Sequence, residues 1–522
     1  MDSSTAHMQL ILDTITGGSM KQTVIDRIIG IISPKAGIER MRWRKYYEEQ
    51  RGNYDASDSG RLQSRWNTQN QSAELTDRFE RDVIRARTRD LERNSDILNS
   101  VIRAFRRNVI GGGLQIRVTT EQADRNKILE AAWKRWCEKE NCDVTGTQSF
   151  TQIVRMLIQR KIVDGGILII KRYTSQGYLP FQLQILEVDE LDATQIQPKE
   201  KDNKVVGGIE YNRWNRPAGY WITQYEIDGY TRMKPMYIPA KDVIFYYAKR
   251  RPSQIREMTD LAPTVTRIKD MNEFISAVTI KEKIAACLAI LVKRVHNLVS
   301  NRGRDGKPQS EISYEGKRIV PGMILEMNPG DDAQTVTPPG QGSDAATFLK
   351  AEQRLISSAS GLSYEATARD MSETNYSSAR QSWIEDDLTY DEEKELLFQV
   401  LDEIYETFVI SCWLKGIISG NDFWNNIRDY TAHEWVVKPK RWIDPAKEAN
   451  ANATMLKTGQ KTFQQICAEA GRDWKQVIDE MDEANRYAAE KNIDLAAMLA
   501  GGPGTQEPEE EEGKKNGTKT DA

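Results

Sequence analysis

Carboxylates at Glu385-Asp-Asp387 and Asp391-Glu-Glu393 stand close enough along the chain to share one helix face, as a nuclease holding Mg²⁺ would require. No strand supplies a fixed third ligand, so the run is read as a solvated helix face and no metal is assigned. Gly459-Gln-Lys-Thr462 has the closing residues of a nucleotide-phosphate loop but not the glycine that must open it, which leaves ATP turnover without a phosphate cradle. His7, His296 and His433 are far apart, and the chain has neither a Gly-x-Ser-x-Gly elbow nor a Cys-x2-Cys pair. No catalytic residue and no cofactor is assigned, and the chain is not read as an enzyme. Cys137, Cys142, Cys287, Cys412 and Cys467 are odd in number and scattered through helical-looking segments, so they are read as free buried thiols rather than ligands or bridges. Arg40-Met-Arg-Trp-Arg-Lys-Tyr-Tyr47 interleaves aromatic and basic residues. Two readings stand: a nucleic-acid stacking surface, or, preferred, an arm packing on a neighbouring subunit.

Composition narrows the classes further. The 522 residues suffice for two or three domains, yet only 39% are hydrophobic, which fits an elongated architecture or burial between subunits better than one compact globule. Lys and Arg (73) nearly cancel Asp and Glu (77), so the chain is not a globally basic nucleic-acid clamp. The longest apolar run, Ile284 to Val292, falls far short of a bilayer span, and no basic region followed by an apolar one opens the chain. No membrane partner is expected, and synthesis in the cytosol is.

The elements that must position these residues follow from periodicity and punctuation. A short amphipathic helix is expected around Val24 to Ile32, with a break at Ser33-Pro34. Asp77 to Val109 predicts one long helix, with Ile84, Leu91, Leu98, Val101, Ile102, Phe105 and Val109 on its apolar face and Arg85, Arg89 and Arg93 in an i, i+4 row, ended by Gly111-Gly-Gly113 before a strand at Leu114 to Val118. Arg125 to Glu140 and Phe150 to Val163 predict helices, and Ile167 to Tyr173, Gln182 to Val188, Val205 to Trp214, Ala218 to Tyr225 and Val243 to Ala248 predict strands of a mostly antiparallel sheet. Pro263 opens about thirty helical residues reaching Leu291, and Ala345 to Ser360 predicts another helix. Between them lie the basic loop Asn301 to Pro308 and strand-like pieces at Arg318 to Val320 and Met323 to Met327. A long helix from Ser377 to Leu414 carries an apolar stripe of Leu397, Val400, Leu401, Ile404, Phe408 and Cys412. Trp435 to Val437 predicts a strand, Asp444-Pro445 opens a helix, and Gly501 onward reads as disordered.

The most informative segment is Gly361 to Gln381, a Gly-led loop of small polar residues set between two periodic helices. Its Gly361-Leu-Ser-Tyr364 and Asn375-Tyr-Ser-Ser-Ala-Arg380 resemble the corresponding segment of the lambda-like family of phage portal proteins. Further blocks share the resemblance: Arg85 to Asn94 with Asn108 to Gly113, Ile244 to Arg256 with Asp260-Leu-Ala-Pro263, Met323 to Gly330 with Val336 to Gly340, and Thr462 to Trp474.

The resemblance implies an elongated α+β portal fold. Its parts would be an N-terminal arm (1–60), a wing domain (61–259), a first stem helix (260–296), a clip (297–343), a second stem helix (344–361), a tunnel loop (362–376), a long helix returning to the wing (377–444), a helical crown (445–500) and a disordered tail (501–522). It implies a homo-oligomeric ring, twelve copies in the virion, at one capsid vertex, assembled in the host cytoplasm. Double-stranded DNA would pass through it in packaging and ejection, with the terminase large subunit, head-completion adaptor proteins, and major capsid and scaffolding proteins as partners. Tunnel-loop residues would be Ser363, Thr367, Arg369, Ser372, Thr374, Asn375 and Tyr376, weakly packed and mobile, with a plain connection on the ring exterior as the other reading. Arg302, Arg304, Lys307, Lys317 and Arg318 of the clip would face DNA or a partner, against ordinary loop solvation. A near-neutral subunit suits a DNA channel, since dense cationic walls would bind DNA tightly and resist translocation. A DNA-processing enzyme of the packaging machinery is the alternative.

Overall fold

The protein is described from a computed structural model that covers residues 25, 28–29, 32–50, 67–286, 289–294, 331–336, 342–437, 445–472, 474–491 and 493. The chain divides into two units, Met1–Gln71 and Ser72–Ala522. In the first, Ser33 is non-helical and α1 (Pro34–Gln50) follows it, with Pro34 at its first position, where the missing N–H costs no hydrogen bond. Trp43 and Tyr46 are exposed and meet edge to face at 5.9 Å.

The second unit mixes helices with small antiparallel sheets. It opens with α2 (Ala73–Asp77), α3 (Arg81–Asn94) and α4 (Asp96–Asn108). The single helix predicted over Asp77 to Val109 is therefore two. Ser95 is extended (φ −116°, ψ 122°) and accepts from the Leu98 N–H through its side chain, so a serine that caps the next helix ends the previous one. After β1 (Leu114–Val118) come α5 (Ala123–Trp136), α6 (Lys139–Cys142) and α7 (Phe150–Asp164).

β2 (Gly166–Arg172) pairs on one side with β3 (Gln182–Leu186) and on the other with β8 (Val243–Tyr247). β4 (Lys204–Val206), β5 (Ile209–Tyr211), β6 (Pro217–Ile222) and β7 (Met236–Pro239) form a second sheet in sequence order. The stretch predicted as one strand from Val205 to Trp214 is thus a hairpin turning at Gly207-Gly208. β2 is buried on both faces, as its unbroken apolar run requires. Ile167 and Ile169 enter a core built with α4, α5 and α7, while Leu168 and Ile170 enter a second core with β5, β6 and β7.

Gly165 makes the turn from α7 into β2 possible. Its φ is +89°, and a Cβ there would stand 2.4 Å from the Met258 carbonyl carbon.

α8 (Val265–Ala286) is followed by β9 (Ala289–Arg294), which pairs antiparallel with β10 (Asp331–Val336). The helix predicted to Leu291 therefore stops sooner, because Ala289-Ile-Leu-Val292 finds a strand partner that short-range periodicity cannot reveal. α9 (Gly342–Ala359), α10 (Tyr364–Ala368) and α11 (Tyr376–Leu414) follow. The 39 residues of α11 span about 58 Å at 1.5 Å per residue. All six residues of its predicted stripe are buried, and Phe408 packs edge to face on Trp133 at 4.9 Å. α12 (Ile427–Tyr430) leads to β11 (His433–Val437), which pairs with β1, and α13 (Pro445–Lys457), α14 (Phe463–Glu469) and α15 (Trp474–Glu490) complete the described elements. Gly459-Gln-Lys-Thr462 is the turn between α13 and α14, with Thr462 capping the latter. Cys142, Cys412 and Cys467 are buried free thiols, Cys137 is free and half-buried, and Cys287 lies outside the described residues. No helix among the described residues is long and apolar enough to cross a membrane.

Candidate functional site

Two polar assemblies position the segment before α11. The first holds the turn from β8 into α8. Glu257, fully buried, accepts from Arg85 at 3.0 Å and from Arg256 at 2.8 and 3.0 Å. Arg85 also bonds Asp189 at 3.1 Å, and Arg89 reaches Asp164 and Asp189, each at 2.7 Å. Burial works against the Asp189 carboxylate, but Arg85 and Arg89 outweigh it and hold its pKa below the usual range. Two members of the predicted i, i+4 arginine row are thus ion-pair residues, Arg85 buried and Arg89 half-buried. Lys161, 2% exposed, sits between Asp260 at 2.8 Å and Glu393. Burial opposes its charge, yet the two acids raise its pKa. These pairs tie α3, α7 and α11 to the segment feeding α8, and their charges are mutually compensated. Among the described residues, no group of three or more His, Cys, Asp or Glu side chains is placed to hold a metal ion.

The second assembly is the loop itself. α9 ends in a Schellman turn: Leu362 N–H donates to the Ser357 carbonyl at 3.0 Å, Gly361 N–H donates to that of Ser358 at 3.1 Å, and Gly361 has φ +69°. Ser363 then caps α10 by accepting from the Ala366 N–H at 3.1 Å. Its own N–H and hydroxyl donate to the two oxygens of Asp386, at 2.6 and 2.7 Å. Asp386 is 3% exposed, and burial raises its pKa while the Ser363 hydrogen bonds pull it back. Thr367 is buried, with its hydroxyl 2.6 Å from that of Ser357 and its carbonyl accepting from the Ser100 hydroxyl of α4.

Beyond Thr367 the chain turns outward. Arg369 is exposed in the left-handed region (φ +57°). Lys350 of α9 pairs with Glu373 at 2.6 Å and lies 5.4 Å from the centre of the Tyr364 ring, whose hydroxyl donates to Asp370 at 3.2 Å. The Ser372 hydroxyl and N–H lower the Asp370 pKa, and Lys350 lowers that of Glu373. Asn375 caps α11 by accepting from the Ser378 N–H at 2.8 Å.

The predicted loop residues therefore divide. Ser363 and Thr367 are held by α11, α9 and α4, which corrects the expectation of a weakly packed segment. Arg369, Ser372 and Asn375 are exposed, Thr374 is half-buried, and Tyr376 is the first residue of α11. Asp386 is likewise no solvated helix-face acid, because its helix turns it toward Ser363. Arg302, Arg304, Lys307, Lys317 and Arg318 lie outside the described residues, as do the strand pieces expected beside them. Sequence reading missed Asp386, Ser100, Lys350 and Glu373 as loop partners. Only the fold brings together positions 23 and 267 residues apart.

The family model described as "Phage portal protein, lambda family" matches residues 59–394. A probable portal protein of Halomonas phage phiHAP-1 is 26% identical over 464 residues, 84% of this chain and 88% of that protein. Portal protein B of Escherichia phage lambda is 20% identical over 507 residues, 87% and 93% of the two chains. Among solved structures, a chain from the neck of a native GTA particle, computed with C12 symmetry, aligns with a TM-score of 0.42 at 14% identity, covering 74% of this chain and 93% of that one.

Proposed function

Because the chain belongs to the lambda family of phage portal proteins, a structural rather than enzymatic family, we propose that it forms a ring of twelve copies at one capsid vertex of a tailed phage or prophage. Double-stranded DNA is packaged and later ejected through the ring's channel. In this reading residues 61–259 form the wing, α8 and α9 lie in the two stem segments (260–296 and 344–361), 297–343 is the clip, and 445–500 the crown. The segment 362–376 is the tunnel loop. Terminase and the head-completion proteins dock at the clip, where Arg302, Arg304 and Lys307 meet them, and the capsid and scaffolding proteins surround the ring.

The observation that carries this is the family match running unbroken through the loop and the first half of α11. The geometry supports a division of labour within the loop: Ser363 to Thr367 is an anchored base, and Arg369 to Thr374, with Arg369 and Met371 to Glu373 exposed, is the part that can reach DNA. Electron microscopy of the purified protein tests ring formation, and a chain that stays monomeric at high concentration would refute it. Replacing Asp370 to Thr374 by a shorter linker should leave rings intact and lower the DNA length packaged or retained. Unchanged packaging would remove the loop's role. Charge reversal at Arg302, Arg304 and Lys307 should impair packaging or adaptor binding with rings still assembling, and normal packaging would remove that assignment.

A further inference from the structure

One face of α4 carries half-buried Ser100 and exposed Arg103 and Arg107 at i, i+3 and i+7, a spacing that groups all three. Ser100 fixes where that face points, since its hydroxyl donates to the Thr367 carbonyl and seats α10 against it. Arg369 follows two residues after Thr367, so three arginines flank one junction of helix and loop. Among the described residues, none of the three guanidinium groups has an ion-pair partner or a hydrogen-bond acceptor. Arg106, the other arginine on the exposed side, is held by Gln159 at 3.0 Å. Two of the loop's acids are engaged elsewhere, Asp370 by Tyr364 and Ser372 and Glu373 by Lys350. The helix dipole accounts for a cation at Arg107 in the last turn but not for Arg103 one turn earlier.

Uncompensated guanidinium groups one helical turn apart, beside a third on a turn, suit acceptors that recur along a strand. Phosphate oxygens accept from arginine in the strongest, charge-assisted geometry and carry no sequence information. We propose that Arg103 and Arg107 of α4 form a contact surface for the phosphate backbone of double-stranded DNA, beside the loop's Arg369. This rests on the reading of the protein as a conduit for double-stranded DNA. It adds a fixed, helix-borne cationic track to a loop whose exposed part has Arg369 as its one cation.

The test uses the assembled full-length protein and a short fluorescent duplex of mixed sequence, with affinity measured across a salt series. Every arginine that no longer neutralises a phosphate should flatten the slope of log affinity against log salt by about 0.9, so Arg103→Gln with Arg107→Gln should flatten it by roughly 2 for each subunit that touches the duplex. Arg103→Lys with Arg107→Lys should keep the slope. Arg213→Gln with Arg216→Gln, at the β5–β6 turn, should not change it. An unchanged slope in the α4 glutamine pair overturns the proposal, as does an equal decrease in the β5–β6 control. Rings that fail to assemble with the glutamine pair but form with the lysine pair would assign the surface to a second copy of the chain, and also overturn it. Arg369→Gln separates the two ideas. If it leaves binding unchanged while the α4 pair flattens the slope, the α4 surface stands and the channel reading of the loop falls. The reverse pattern removes the α4 surface alone.

Discussion

Replacing Asp386 with Leu should release the base of the loop without unfolding the helices around it. The side chain is 3% exposed and its oxygens accept from the Ser363 N–H at 2.6 Å and the Ser363 hydroxyl at 2.7 Å. Hydrogen bonds to a charged group contribute about 1.5 to 3 kcal/mol each, and water recovers part of this once Ser363 opens, so the net loss is about 3 kcal/mol. At 1.4 kcal/mol per factor of ten, local opening becomes ~100-fold more frequent. Hydrogen exchange at amides 363 to 369 reads this directly, with α5 and the buried half of α11 as internal controls. Asp386→Asn keeps one carbonyl acceptor for the Ser363 N–H and a donor for its hydroxyl oxygen, so its exchange should stay within several-fold of the native protein. If Asp386→Leu leaves exchange at 363 to 369 unchanged, the carboxylate does not hold the loop. If the controls accelerate equally, the effect is global and the reasoning about a local clamp is wrong.

The same carboxylate has a pH signature. Its folded pKa is raised by burial, so the native state binds its proton more readily than the unfolded chain. The proton-linked part of its contribution is present at low pH and is lost as pH rises from the unfolded pKa through the folded one, leaving the Ser363 hydrogen bonds to the ionised form. Denaturant titrations of native protein against Asp386→Asn should show the native chain losing ground across that acid-side window. Glu257→Ala leaves buried Arg256 without its carboxylate partner and removes one of the acids that hold Arg85, which keeps Asp82 and Asp189, and should cost about 3 to 5 kcal/mol in equilibrium unfolding; a loss under 1 kcal/mol, about what exposed pairs contribute, would contradict the burial. Gly361→Ala meets the Thr389 hydroxyl oxygen at 3.1 Å in a left-handed backbone and should cost about 1 to 2 kcal/mol, read by denaturant midpoint. Burial pushes the Cys142 and Cys412 thiols up to about 12, so thiol reagents at neutral pH should label neither until the protein unfolds; prompt labelling in the native protein would count against the buried assignment.

Long-period apolar stripes and capping residues are readable from sequence alone. α11, α9 and α7 begin within a few residues of their expected starts, because Asn375, Ser149 and the periodic residues act locally. What is not readable depends on partners distant in sequence. Ser95 divides a helix that its apolar face alone would continue, since the pattern of Leu91, Leu98 and Phe105 persists across the break. Ala289 to Arg294 has residues that suit either a helix or a strand, and only Asp331 to Val336 decides. Arg85 and Asp386 have the side chains of surface residues and become interior ones through Glu257 and Ser363, contacts for which no spacing rule exists. The loop is recognisable by its composition, but its division into an anchored base and an exposed tip belongs to the fold.

The pairing of β9 with β10 bears on how this chain can vary. Arg294 stands opposite Asp331 in an antiparallel ladder, so the 36 residues between them leave and return at one point. Whatever occupies that span is an excursion closed at its base. Doubling its length adds only about 0.6 kcal/mol of closure entropy. Lengthening or shortening the segment between Arg294 and Asp331, or inserting a reporter peptide there, should therefore leave hydrogen exchange in α8 and α9 unchanged.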